Sequence, residues 1–351
     1  MDFVAELLNW YRKNKRNLPW RGTKDPYKVW LSEIILQQTR VEQGTAYYHA
    51  FVENYPDVQS LAAATEDHVL KTWQGLGYYS RARNLHATAR IIAGEMSGKF
   101  PGDHAGLLKL KGIGDYTASA ISSICFNEAQ PVVDGNVYRF LSRYFGIQTP
   151  IDSTAGKKEF REIAAELIPA KDPGTFNQAM MEFGARQCTP RNPDCSVCVF
   201  RLSCVALKKK LVTRLPIKGN KTKVSNRYFY YLILKNGKNT FIRQRTGKDI
   251  WQGLHDFPLI ESVAVLEEKQ VVKISSWKKI VGNIPVKITG ISEEHIHLLS
   301  HRKLHVRFIF AEVKGKVVLP EEYRKVAISE LEKFAFPILL AKNLKELFSR
   351  E

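Results

Sequence analysis

Two kinds of side chain in this sequence could do chemistry: the isolated carboxylates Glu33 and Asp134, and the cysteines Cys188, Cys195, Cys198 and Cys204. Glu33 stands among Trp30, Leu31, Ile34, Ile35 and Leu36. A carboxyl group in such apolar surroundings has its pKa raised, because desolvation disfavours the anion, and it could keep a proton for general acid work near neutral pH. Taken alone, the pattern fits a solvated helix-face glutamate better. Asp134 lies in Val132-Val133-Asp134-Gly135-Asn136, which is also good turn chemistry. The cysteines are spaced Cys-x6-Cys-x2-Cys-x5-Cys in a segment with Pro190 and Pro193. Such spacing argues for metal binding rather than disulfides, and zinc and an iron–sulfur cluster both remain open. Cys125, in Ile121–Phe126, reads as a small core residue.

These groups need elements to position them. Leu110-Lys111-Gly112-Ile113-Gly114 reads as a tight turn between two helices, since glycine reaches positive φ without steric cost. Backbone N–H groups at the start of the next helix would point outward and seat a phosphate. An apolar run follows from Tyr116 to Phe126, and Asp134 arrives one helix later. With that hairpin upstream, Asp134 reads as a reacting group more than as a turn former. The chain of 351 residues carries a formal net charge of +18, which suits a nucleic-acid partner. Asp2 and Glu6 interrupt Met1–Arg16, so that stretch is no signal peptide, and no apolar run is long enough to span a membrane. The expectation is an intracellular protein.

Helical periodicity is expected over Asp2–Lys15, Pro26–Gln38, Gly44–Asn54, Thr65–Trp73, Ser80–Glu95, Asp103–Lys109, Ser153–Ile168 and Thr175–Ala185. Residues 1–206 therefore read as an all-helical domain ending in the cysteine loop 188–204. Residues 207–225 are basic and aperiodic, as in a linker. In 226–351, Tyr228–Lys235 and Asn239–Arg245 read as strands joined by an Asn236-Gly237 hairpin. Further strands are expected at Val286–Thr289 and Val306–Val313, and a last helix at Ile338–Phe348, giving a smaller α+β domain.

The Leu110–Gly114 hairpin, the aspartate after it and the 6-2-5 cysteine spacing resemble the helix-hairpin-helix DNA glycosylases of the endonuclease III superfamily. Leu18-Pro19-Trp20-Arg21, Pro26–Glu33, Leu36-Gln37-Gln38-Thr39, Gly75–Leu85 and Val133–Val137 narrow the resemblance to the adenine DNA glycosylases. It covers nearly all of residues 1–206 and continues more weakly beyond. The resemblance implies a [4Fe-4S] cluster on Cys188, Cys195, Cys198 and Cys204. It implies that Glu33 protonates adenine at N7 and that Asp134 stabilises the oxocarbenium-like sugar left behind. Glu182 and Asn136 take supporting places in the pocket, with Glu182 assisting at the adenine and at water. Tyr116 stands where the lyases of the superfamily carry a Schiff-base lysine, so the expectation is a monofunctional enzyme, with Tyr116 hydrogen-bonding near Asp134. Asp115 departs from the usual basic or neutral residue and is expected to weaken a phosphate contact.

Duplex DNA with adenine opposite 8-oxoguanine or guanine is the implied partner, bound by a monomer in base excision repair in a bacterial cytoplasm. Gln37, Gln38, Arg81, Arg83, Lys111, Gly112 and Gly114 are the implied DNA contacts, with Gln37 one helical turn beyond Glu33 and on its face. Tyr78 is the implied wedge that enters the duplex as the adenine flips out. Ile250–Pro258 resembles the Nudix-like domain of the same family, without the acidic box of the active pyrophosphohydrolases. Leu299-Ser300-His301 occupies the place of its Phe-Ser-His lesion-reading loop. His295, His297, His301 and His305 read as exposed histidines near phosphate rather than as a metal site. Thymine removal from G·T mismatches, abasic-site lyase activity and a non-catalytic iron–sulfur DNA sensor are the rival readings.

Overall fold

The structure, a computed structural model, describes residues 2–219, 224–282 and 284–349. It divides into two compact units, Met1–Ala63 with Asn84–Lys221, and Ala64–Arg83 with Thr222–Glu351. The early helices are α1 Phe3–Asn14, α2 Pro26–Leu36, α3 Val41–Asn54, α4 Val58–Ala63, α5 Glu66–Thr72, α6 Ser80–Glu95, α7 His104–Leu108, α8 Asp115–Phe126, α9 Gly135–Phe145, α10 Thr154–Leu167, α11 Pro173–Arg186 and α12 Val205–Lys208. Their starts follow from local chemistry. Asp2 caps α1 by accepting from the Val4 and Ala5 amides, and Asp25 with Pro26 opens α2.

The core of the helical unit is aromatic. Phe3, Leu7 and Trp10 of α1 meet Phe140 of α9, Phe160 of α10 and Phe183 of α11. Phe200 joins them from the cysteine loop, its ring 5.0 Å from that of Phe3 and 5.2 Å from that of Phe183. This stacking holds α9 and α11 together. At their crossing a side chain on Gly184 would meet the Asn136 carbonyl oxygen at 2.4 Å, so only glycine permits the approach.

In the second unit the strands are β1 Ser225–Lys235, β2 Asn239–Gln244, β3 His255–Asp256, β4 Leu259–Ser262, β5 Val286–Ile291, β6 His295–Leu299, β7 Arg302–Val313 and β8 Arg324–Ala327, with short helices α13 Glu268–Val271 and α14 Ser275–Val281 and a terminal α15 Ile338–Ser349. One sheet runs β4-β1-β7-β5, with β6 also paired to β7, and the other runs β3-β2-β8. The expected β1–β2 hairpin does not form. Asn236-Gly237 does turn the chain, with Gly237 at φ 61, but only an isolated Asn236–Asn239 bridge joins the two sides. β1 is buried through Phe229–Leu234 and pairs antiparallel with β4 and parallel with β7, so it is a central strand and β2 passes into the other sheet.

The first part of the expected linker is packed, not free. The Ile151 amide donates to the Ile217 carbonyl at 3.0 Å, the Gly219 amide to Asp152 at 2.8 Å, and Leu215 is buried. Residues 220–223 of that stretch lie outside the described residues.

Candidate active site and DNA interface

Four helices deliver side chains to one cavity of about 180 Å³ in the helical unit: Glu33 from α2, Tyr116 from α8, Asp134 at the N-cap of α9, and Glu182 from α11. Glu33 is buried, and the Tyr116 hydroxyl donates to its Oε2 at 2.7 Å. Burial pushes the Glu33 carboxyl up to about 7, Tyr116 pulls the other way, and Asp134 adds repulsion. The same burial holds the Tyr116 phenol well above its ordinary value, so it remains a neutral donor.

Tyr116 thus bonds Glu33 beside Asp134, whose own hydrogen bonds come from α9. Asp134 Oδ1 already accepts from the Asn136 and Val137 amides, at 2.9 and 2.8 Å, as an N-cap, and its Oδ2 accepts from Asn136 Nδ2 at 2.7 Å. Burial raises the Asp134 carboxyl, against those hydrogen bonds. The first turn of α9 places this carboxylate where its exposed N–H groups favour an anion. The turn chemistry of Asp134 and its place in the cavity are thus the same feature.

Glu182 is fully buried and is the acceptor for two arginines. Arg16 donates through Nε at 2.8 Å and Nη2 at 2.7 Å, and Arg21 through Nη2 at 2.6 Å. Burial alone would raise the carboxyl, but these bonds outweigh it and hold it down at about 2. Two carboxyls on one cavity are therefore driven in opposite directions. Glu182, expected to assist at adenine and water, lines the same cavity as Glu33 and Asp134. Its oxygens are filled, so in this structure it orders Arg16 and Arg21. Arg16 has no motif to announce it. Arg139, also unforeseen, ties Asn136 Oδ1 at 2.8 Å to the Cys188 carbonyl at 2.8 Å.

α2 ends at Leu36, so Gln37 does not continue its face; it turns toward Thr117, with Nε2 at 3.4 Å from Oγ1. Gln38 is exposed with φ 56. In the hairpin only Gly112 uses a positive φ, 79°, while Gly114 is the extended N-cap of α8. Lys111 is exposed there. Asp115 pairs with Arg161, which offsets its charge beside the hairpin, and lies 3.2 Å from His104 Nε2.

In the second unit, Tyr78 is 42% exposed at φ 46 and its hydroxyl bonds the Ser300 hydroxyl. Arg81 turns inward: its guanidinium lies 5.0 Å from the Trp73 ring and donates to the Gly77 carbonyl at 3.3 Å. Arg83 binds the Gln252 carbonyl and, at 3.1 Å, its side chain. Both arginines brace the loops around Tyr78 here, where a surface phosphate contact had been expected. Leu299, Ser300 and His301 close the β6–β7 turn and share a cavity of about 520 Å³ with Tyr78. The four histidines do not converge. His305 stacks on Tyr228 at 4.7 Å, His295 packs on Phe308 at 5.3 Å, His297 lies 5.9 Å from Trp251, and only His301 is exposed.

Cys188, Cys195, Cys198 and Cys204 are free thiols lining one cavity with Phe140 and Arg143. Buried Arg143 donates to Cys188 Sγ at 3.4 Å and to the Thr189 carbonyl at 2.7 Å. Among the described residues, no three His, Cys, Asp or Glu side chains are grouped so as to hold a single metal ion. No helix among them is long and apolar enough to cross a membrane.

Residues 31–170 match the HhH-GPD superfamily of base excision DNA repair proteins, and residues 229–346 match the NUDIX domain. The adenine DNA glycosylase of Buchnera aphidicola subsp. Schizaphis graminum is 37% identical over 306 residues, 87% of this chain and 86% of that protein. The adenine DNA glycosylase of Homo sapiens is 42% identical over 216 residues, 59% of this chain and 40% of the human protein. Among solved structures, a thermostable thymine-DNA glycosylase superposes with a TM-score of 0.55 at 29% identity, covering 59% of this chain and 95% of that one. A non-covalent endonuclease III–DNA complex shares the fold, with a TM-score of 0.52 at 20% identity. A relative 37% identical and matched along most of both lengths makes this chain a member of the adenine DNA glycosylase family.

Proposed function

We propose that the protein is a monofunctional glycosylase that removes adenine paired with 8-oxoguanine or guanine, leaving an abasic site. The observation that carries this reading is the Glu33–Tyr116 pair beside Asp134 in one cavity, where one carboxyl is raised to about 7 and the other caps a helix. Because Tyr116 fills Glu33 Oε2, the acid's proton belongs on Oε1, ready for N7 of a flipped adenine. Protonation turns the base into a neutral leaving group, and Asp134 offers an anion to the cationic sugar. Water then completes the hydrolysis. A phenol at position 116 forms no imine, so strand cleavage is not expected. Glu182 acts by holding Arg16 and Arg21 against the pocket, and Asn136 by holding Asp134.

The hairpin at Lys111, Gly112 and Gly114 contacts the duplex, as do Gln37 and Gln38, and Tyr78 is the wedge that enters it. Ser300 and His301 hydrogen-bond the base opposite adenine, and Leu299 supplies apolar contact where an aromatic is usual. Residues 1–206 would carry the chemistry and residues 226–351 the reading of the lesion. The four cysteines fit a [4Fe-4S] cluster: an all-thiolate donor set surrounds one cavity, with a guanidinium donating to one of the sulfurs. When bound, such a cluster would supply a rigid anchor for the loop that sends Phe200 into the core.

The test is a panel of end-labelled duplexes carrying adenine opposite 8-oxoguanine, opposite guanine, or thymine opposite guanine, read with and without alkali and after borohydride. Adenine loss that appears as strand breaks only after alkali is expected. Thymine release would support the rival reading, and an efficient borohydride-trapped complex would remove the monofunctional assignment.

A further inference from the structure

Asp249 gathers three arginines. Arg227 donates to it through Nη1 at 2.8 Å and Nη2 at 2.7 Å, and Arg245 through Nη2 at 3.1 Å. Arg302 reaches Oδ1 only at 3.4 Å. The first two also have other carboxylates: Arg227 pairs with Glu261, and Arg245 with fully buried Asp256. Their side chains are 15% and 9% exposed, whereas that of Arg302 is 32% exposed. Arg302 is thus the weakly held member of the group. Charge-assisted bonds to guanidinium normally close to about 2.9 Å, so the 3.4 Å contact is a loose one. If Arg302 turned away, Asp249 would keep its shorter bonds to Arg227 and Arg245 and would not be left as an unpaired anion.

Arg302 also occupies a telling place. It directly follows Ser300 and His301 and lines the same cavity as Tyr78 and exposed Lys248. Asp249 is the carboxylate on that wall, and its charge is already spent on Arg227 and Arg245. The mouth therefore offers cationic donors beside the turn proposed to meet the base opposite adenine.

We propose that Arg302 leaves Asp249 on DNA binding and takes a backbone phosphate of the strand opposite adenine. The inference rests on the DNA-binding reading above, and adds a contact that positions the strand without reading its bases. A planar fork suits a phosphate better than an ammonium does, and the Asp249 side keeps that fork oriented before the duplex arrives.

The experiment is equilibrium binding by fluorescence anisotropy of the full chain, wild type and Arg302→Ala and Arg302→Lys, over a range of salt. The probes are a duplex with 8-oxoguanine opposite a non-cleavable adenine analogue and a fully paired duplex of the same length. Loss of one phosphate contact should lower the slope of log affinity on log salt by roughly 0.9 for Arg302→Ala, equally on both duplexes. Arg302→Lys should recover most of the slope, and it keeps the test open if the alanine variant folds poorly. An unchanged slope would overturn the proposal. So would a loss confined to the 8-oxoguanine duplex, which would make Arg302 a support for the recognition turn. Wild-type protein that binds neither duplex would instead bring down the DNA reading itself, and this one with it.

Discussion

Replacing Glu33 with glutamine should make the protein more stable in alkali while it removes activity. In the folded chain the carboxyl titrates near 7, and its ordinary value is 4.5. Between those values the folded state holds a proton that the unfolded state has lost, so wild-type stability falls as pH rises through this window. Above it, the full difference is a penalty of roughly 3 kcal/mol, at about 1.4 kcal/mol for each tenfold in proton affinity. Glutamine is nearly isosteric, carries no charge, and can still accept from the Tyr116 hydroxyl. Urea unfolding of both proteins at pH 5 and pH 8.5 measures the effect. Glu33→Gln should gain stability over wild type by roughly 3 kcal/mol at the higher pH and little at the lower. A gap that does not change with pH would refute the reasoning, since Glu33 would then not be a desolvated acid.

Tyr116→Phe removes a bond that favours the Glu33 anion, so the alkaline limb of the single-turnover rate should move to higher pH; movement downward would contradict the assigned donor direction. Glu182→Gln leaves Arg16 and Arg21 without their anion and should cost about 3 kcal/mol near neutral pH by urea unfolding. Because the Glu182 carboxyl is depressed to about 2, its contribution is complete above about 4.5 and lost as pH falls toward 2, so the difference from wild type should shrink in acid. Gly184→Ala drives a methyl group against the Asn136 backbone and should destabilise by about 1–3 kcal/mol in thermal or urea unfolding, with a fall in adenine release because Asn136 holds Asp134.

Much of the fold was legible because its signals are local. Asp2, Asp25 with Pro26, and Ser153 mark helix starts by capping chemistry that is visible in sequence. The hairpin between β1 and β2 was misleading for the same reason. Asn-Gly sets a turn, but the strand's partners are chosen by burial on both faces of β1, which no local motif records. α9 escaped notice because Asp134-Gly135-Asn136 reads equally as a turn and as a helix start. In the site, the apolar neighbours of Glu33 hinted at a raised carboxyl, but only the family resemblance outweighed the reading as a solvated helix-face glutamate. Arg143 could have been found by a broken period: it lies three residues after Phe140 on the buried face of α9 and is itself buried. Arg16 left no trace, since its partner Glu182 lies 166 residues away.

The central claim is that Glu33 is the acid in adenine release. The direct test is the single-turnover rate for one duplex with adenine opposite 8-oxoguanine, measured for wild type and Glu33→Gln from pH 5.5 to 9. The account predicts a wild-type rate that declines as pH rises past about 7, and a variant slower by at least about a hundredfold at pH 7 with no such decline. A variant that releases adenine at the wild-type rate, or a wild type whose rate is flat across that range, would contradict it.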